Sequence, residues 1–219
     1  MAYQPTKKPP PRQTVNSSLS PTARKRPVGI ASFLSWNGWN HLALLFAVQA
    51  LVLFVYKAAK NQAGNLDVRW ALSALAGGGL FCLAAGWRSR KRKDPAWARF
   101  VPAVFYGLFI YCLSGQSLEG VELPIPGDFF HPLEYASLGI FLGWGWSKVL
   151  RERKSSWLFV AVLGTGGLYA LTDEWHQSWV PGRVPSFTDL SWDLVGLALG
   201  AALVLWMKRI SPGWRRPGI

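Results

Sequence analysis

Six long apolar runs constrain this chain more than any other feature. They lie at about 39–56 ("WNHLALLFAVQALVLFVY"), 70–87 ("WALSALAGGGLFCLAAGW"), 97–114 ("WARFVPAVFYGLFIYCLS"), 129–147 ("FFHPLEYASLGIFLGWGWS"), 157–179 ("WLFVAVLGTGGLYALTDEWHQSW") and 189–207 ("DLSWDLVGLALGAALVLWM"). Each is close to the ~20 residues that carry a helix across a bilayer. Backbone groups in lipid must bond within their own segment, so the runs are predicted helices rather than strands. The expected fold class is all-α: a polytopic transmembrane bundle of about six helices. Charged residues make up 16% of the chain, against ~25% in soluble domains. The 13 Trp and 12 Phe suit the aromatic belts of spanning helices.

The net charge of +13 would suggest nucleic acid if it covered one soluble face. Instead the basic residues sit between the apolar runs, which excludes nucleic acid as a partner. Alternate segments are basic: the tail, 88–99, 148–156 and 208–219 hold 20 of the 24 Lys and Arg. The intervening segments hold only Lys57, Lys60, Arg69 and Arg183. The positive-inside rule therefore places both termini in the cytoplasm. Most acids lie toward the other, outer side. Residues 1–38, rich in Pro, Ser, Lys and Arg, read as a disordered basic cytoplasmic tail, because such a stretch buries too little apolar surface to offset its chain entropy. No signal-peptide core follows within the first 30 residues, and the prolines argue against the amphipathic helix of a transit peptide. Cys82 and Cys112 read as small buried hydrophobes, without metal or disulfide spacing.

One polar stretch interrupts this pattern: "TDEWHQSWVPGRVPSFTD", Thr172 to Asp189, directly after an uncharged run. By helix rise, Asp173 lies roughly 24 Å along the fifth helix, at the outer interface. Asp173, His176 and Gln177 share one face, and Thr165, Tyr169 and Thr172 continue it inward, toward the bundle interior. Glu174 is left open between that interior and the lipid headgroups. Pro181 and Gly182 make a turn that holds Arg183 at its tip. Ser186, Thr188 or Asp189 caps the sixth helix. There Asp189, Asp193, Gly196 and Gly200 form one stripe, and the two glycines make a small-residue seam that packs helices within one chain or between chains. The fourth helix mirrors it, with Asp128, His131, Glu134 and Tyr135 at its outer end, then Gly139 and Gly143. Three helix mouths are thus expected to converge on one pocket lined by His131, Glu134, Asp173, His176, Asp193 and Arg183. His41, at the other end, reads as interfacial packing.

"DEWHQSWVPGRVPSFTDLSWDLVGLALG" resembles the signature of VanZ-like membrane proteins, with "FIYCLSGQS" and "HPLEYASLG" similar to the earlier family blocks. The resemblance covers roughly 97–207, a VanZ-like four-helix transmembrane domain. It leaves 39–94 as two extra helices and 208–219 as a basic cytoplasmic tail. Two positions depart from the family pattern: Phe129 follows Asp128 where a lysine is common, and Asp193 stands where Asn is common. The resemblance implies a role at the cell envelope, with a link to teicoplanin resistance, and an undefined biochemical activity.

The residues support four readings. In the first, His176 or His131 acts as general acid or base, with Asp173, Glu134 and Asp193 completing the proton-handling set. Arg183 binds an anionic group through its fork, and Gln177, Tyr135, Glu174, Asp189 and Ser114 complete the substrate contacts; no nucleophile is evident beyond Ser114 as a candidate. The partners are then membrane lipids, an anionic lipid-linked envelope precursor, or a glycopeptide. In the second, the same pocket binds or shields without chemistry. In the third, two carboxylate/His pairs (His131 with Glu134, Asp173 with His176) hold a metal; the reversed order of the first pair and the nearby Arg183 oppose this, and no metal ligand is assigned. The fourth, proton-coupled transport, needs mid-depth polar groups, and only Gln49, Ser73, Ser137 and Thr165 offer them. Nothing in the sequence identifies a cofactor.

Overall fold

The structure, a computed structural model, describes residues 32–33, 36–59, 67–117 and 130–215. The expectations for most of the tail and for Asp128 fall outside those residues. The apolar runs form six long helices: α1 (Gly38–Ala59), α2 (Arg69–Arg88), α3 (Val101–Ser114), α4 (Phe130–Val149), α5 (Ser155–Gln177) and α6 (Phe187–Ile210). A 3₁₀ turn over Trp97–Phe100 leads into α3, and a short α7 (Pro212–Arg215) follows α6. No strand occurs among the described residues.

Five segments are long and apolar enough to cross a membrane: Gly38–Ala58, Arg69–Arg88, Trp97–Ser114, Ser155–Gln177 and Phe187–Ile210. The protein is a multi-pass membrane protein. The fourth predicted helix is present but differs in composition from the others. α4 is a 20-residue helix, but His131, Pro132, Glu134, Tyr135 and Ser137 dilute its first half, and it is not among the five. It packs against α3, α5, α6 and the 3₁₀ turn, so neighbouring helices rather than lipid surround it. The outer faces of the apolar helices show the opposite pattern. Leu44, Val48, Leu51, Val52, Phe54 and Val55 of α1 are all exposed, as expected for side chains solvated by acyl chains.

Glycines decide how closely α4 and α6 approach. A Cβ on Gly139 would sit 2.7 Å from the Leu197 carbonyl oxygen, and one on Gly200 would sit 2.8 Å from the Gly139 backbone and closer still to the Ala136 carbonyl. No side chain fits at that separation. The predicted seams on the fourth and sixth helices therefore meet each other within one chain. Around the seam, Phe46 stacks on Phe141 at 4.5 Å, with Tyr106 and Trp144 fully buried nearby.

Successive helices alternate in direction, so the bundle has a basic end and an acidic end. The basic end gathers the segments after α2, after α4 and at the end of α6. Buried Asp94 accepts a hydrogen bond from Trp39 Nε1 at 2.8 Å and lies 3.9 Å from buried Arg99. Lys148 Nζ donates to the Asp94 carbonyl. The Arg99 guanidinium lies 4.2 Å from the centre of the Trp144 ring, a cation–π contact. His41 packs here as expected: Nε2 donates to the Phe33 carbonyl at 3.1 Å while Nδ1 accepts from Trp214 Nε1 at 3.2 Å. Cys82 is buried as expected, whereas Cys112 is half-buried at the bundle surface. At the acidic end, Asp67 pairs with Arg69 at 2.7 Å, and that guanidinium holds the Asp67 carboxyl down at about 2.

Candidate functional site

The last turn of α5 sets the site. Its inward face runs Leu158, Val162, Gly166, Ala170, Asp173, Glu174 and Gln177, all buried. Apolar residues seat the first part of this stripe against the core, and the same helical phase then carries two carboxylates into the interior. Thr165 and Thr172 do not share that face as expected; both are exposed. The reason is local: Thr165 Oγ1 donates to the Ala161 carbonyl and Thr172 Oγ1 to that of Tyr169. Thr165 still reaches α4 from the surface, its Oγ1 accepting from Trp146 Nε1 at 3.3 Å, and Thr172 edges the groove described below.

Asp173 is the hub of the first cluster. It accepts from Ser114 Oγ of α3 at 2.6 Å, from Gln177 Nε2 at 3.0 Å and from the Tyr135 hydroxyl of α4 at 3.4 Å. Three helices are tied through one carboxylate. His176 does not bond Asp173 directly. Its Nδ1 lies 3.5 Å from Ser114 Oγ, so the hydroxyl stands between imidazole and carboxylate. The ring is fixed by stacking on Tyr111, centroids 4.2 Å apart. Beside them a groove of about 280 Å³ is lined by Tyr111, Tyr169, Trp175, His176 and Trp179 with Asp173 and Thr172. Trp175 and Trp179 are largely exposed, so the groove has an apolar aromatic rim and a polar floor.

The second cluster joins α4, α5 and α6. His131 Nδ1 is 3.1 Å from Asp193 Oδ1, which gives His131 a different partner from the expected Glu134. Asp193 is 1% exposed. Glu174, left open between headgroup and interior, turns inward and accepts from the Ser186 backbone N–H at 2.9 Å. The "VPGR" turn makes that possible. Pro181 and Gly182 occupy its centre, Gly182 has φ 79°, and the Arg183 N–H returns to the Val180 carbonyl at 3.1 Å. This is a type II turn, in which the third position favours glycine. It folds the chain back so that Ser186 reaches Glu174. Ser186 is also the cap of α6: its side chain accepts from the Thr188 and Asp189 N–H groups. Asp189 is left half-buried in the first turn of α6, where a negative charge suits the helix dipole.

Glu134 and Arg183 lie between the two clusters. Glu134 is half-buried and within electrostatic reach of His131, Asp173, Asp193 and Arg183. Arg183 is half-buried, and its Nε finds no hydrogen-bond partner among the described residues. Every predicted site residue thus lies at the acidic end, but in two adjoining clusters rather than around one pocket. Sequence reasoning missed Tyr111 and the tryptophan groove. The signal was present in the exposed turn positions Tyr111, Trp175 and Trp179, which read as belt aromatics.

The chemistry available is clear. A hydroxyl bonded to a buried carboxylate at 2.6 Å is polarised toward giving up its proton. An imidazole beside it accepts or returns a proton. A half-buried guanidinium with an unused donor recognises an oxyanion. A protein-family model described as VanZ/LLP1 matches residues 97–208, which hold α3 to α6 and every residue of both clusters. No curated protein and no solved structure matches the chain.

Proposed function

We propose, for a chain that belongs to the VanZ/LLP1 family, that the acidic end of α3–α6 faces away from the cytoplasm and binds an anionic envelope lipid or lipid-linked cell-wall precursor. The aromatic groove carries this reading. It opens at a helix end rimmed by Trp175 and Trp179, where lipid headgroups meet the acyl region, and its floor is His176 and Asp173. A lipid entering sideways would lay its apolar chain against the indoles and present its phosphate toward Arg183. The charge distribution supports the orientation, since the basic segments collect at the opposite end. Holding or altering such a precursor is also a physical route to glycopeptide tolerance, the role the family resemblance implies.

Native mass spectrometry of the purified full chain with its co-isolated lipids tests the reading. Wild type should retain a phosphate-bearing lipid, and Arg183→Ala should lower that occupancy about tenfold, the loss of one charge-assisted contact. Equal retention in the two proteins contradicts it.

A second reading is favoured by one contact. Ser114 Oγ is 2.6 Å from Asp173 and 3.5 Å from His176 Nδ1. In it, Asp173 takes the hydroxyl proton and Ser114 Oγ bonds to the headgroup phosphorus as the bond to the leaving oxygen breaks; protonated His176 gives that oxygen its proton, and water then hydrolyses the serine ester, restoring both protons. Ser114→Ala should then keep the lipid and abolish conversion of a radiolabelled precursor. Conversion at the wild-type rate would remove this reading and leave the binding one standing.

A further inference from the structure

Three helices each bring one metal-capable side chain to the same point. His131 comes from the start of α4, Glu174 from the end of α5 and Asp193 from the start of α6, and one donor atom from each lies within 4.8 Å of the other two. His131 Nδ1 and Asp193 Oδ1 are 3.1 Å apart. Ligand atoms around a tetrahedral zinc, with bonds of ~2.0–2.1 Å, stand roughly 3.3 Å from one another. The His131–Asp193 pair already has that spacing, and a Glu174 oxygen lies within 4.8 Å of both.

A second observation points to a cation. Glu174 is 8% exposed, and its Oε1 is buried with no hydrogen-bond partner among the described residues. Its other oxygen is oriented by the Ser186 N–H at 2.9 Å, the kind of outer support that fixes a ligating carboxylate. A buried carboxylate oxygen left without a donor is costly, and a metal ion would satisfy it. The surrounding charge agrees. Glu134, Asp173 and Asp189 face the same region as Glu174 and Asp193, and Arg183 is the one guanidinium among them. Among the described residues there, five carboxylates stand beside one guanidinium and two imidazoles.

We infer that His131, Glu174 and Asp193 form a binding site for a divalent transition-metal cation of the zinc type. One imidazole and two carboxylates suit such an ion. They differ from the pairs suggested by i, i+3 spacing, because the ligands come from three helices rather than two residues of one. Three protein ligands leave a further position open. This inference stands apart from the lipid reading: metal occupancy is read without lipid, and lipid retention without metal.

The test uses the full chain in detergent, stripped with a chelator and titrated with Zn²⁺ by calorimetry, with the melting midpoint followed in parallel. One Zn²⁺ should bind per chain and raise the midpoint. Glu174→Gln and His131→Ala should each weaken binding at least about tenfold, whereas His176→Gln should leave it unchanged. Glu174→Gln is nearly isosteric, so it informs even if His131→Ala fails to fold. No saturable one-to-one binding, undiminished binding in Glu174→Gln, or loss of binding in His176→Gln would overturn the site.

Discussion

The two ends of the bundle both bury charge, but they do so in opposite ways. At the basic end Asp94 has Trp39, Arg99 and Lys148 around it, and Arg99 lies over Trp144. The one buried carboxylate there is surrounded by donors and packed beside indoles, the arrangement of a structural clasp. At the acidic end Glu134, Asp173, Glu174, Asp189 and Asp193 have Arg183 and two histidines as their cationic or titratable basic neighbours among the described residues. Arg183 Nε and Glu174 Oε1 are both buried without hydrogen-bond partners among the described residues; Arg99 Nε at the basic end is too, but there the Asp94 carboxylate lies 3.9 Å from the same guanidinium. Uncompensated buried charge destabilises a fold, and the acidic end carries more of it than the basic end. Burial alone does not separate the two roles; the balance of partners does.

Substitutions should expose this asymmetry. The largest effect is expected for Asp94→Ala. It leaves the Arg99 guanidinium without its carboxylate and the Trp39 N–H without an acceptor, and should cost about 3 kcal/mol. Reduced folded yield and a lower melting midpoint in detergent check it; an unchanged midpoint would show that the clasp contributes nothing. A much smaller effect is expected for Glu134→Gln. Among the described residues Glu134 makes no hydrogen bond, and it sits near two other carboxylates. Losing its charge should shift stability by about 1 kcal/mol or less, in either direction, while lipid retention falls. A loss as large as that of Asp94→Ala would make the acidic end a second clasp rather than a site.

Much of the architecture was legible because a bilayer admits few solutions. Runs of about twenty apolar residues have one stable conformation there, and the observed helix ends fall within a few residues of the expected ones. The glycine seams were legible for a related reason: a stripe of residues without side chains on α4 and on α6 has a use only where another backbone comes close. Partners across helices were not legible. Nothing local says that His131 meets Asp193 rather than Glu134, since both choices satisfy the helical spacing. Glu174 was ambiguous until the fold of the "VPGR" turn supplied the Ser186 N–H. Thr165 and Thr172 misled because a hydroxyl can bond its own helix from an exposed position, so its polarity does not fix which way it faces. Arg99 offered no hint of burial, for it lies in a segment of basic residues that otherwise face outward.

The comparison between ends also fixes the decisive measurement, because each end has a groove. The one at the basic end, about 440 Å³, lies between α1 and α2 and is lined by Trp36, Asn40, Leu83, Trp87 and Arg90 among others. Anionic lipid would gather near so many cations without any specific site. Photo-crosslinking of the full chain in proteoliposomes with a photoactivatable polyprenyl phosphate separates the two. The account predicts labelling of peptides carrying Tyr111 and Trp175–Trp179, competed by unlabelled polyprenyl phosphate and lost in Arg183→Ala. Labelling confined to the groove around Trp87 and Arg90, or spread evenly along the exposed face of α1, would contradict it.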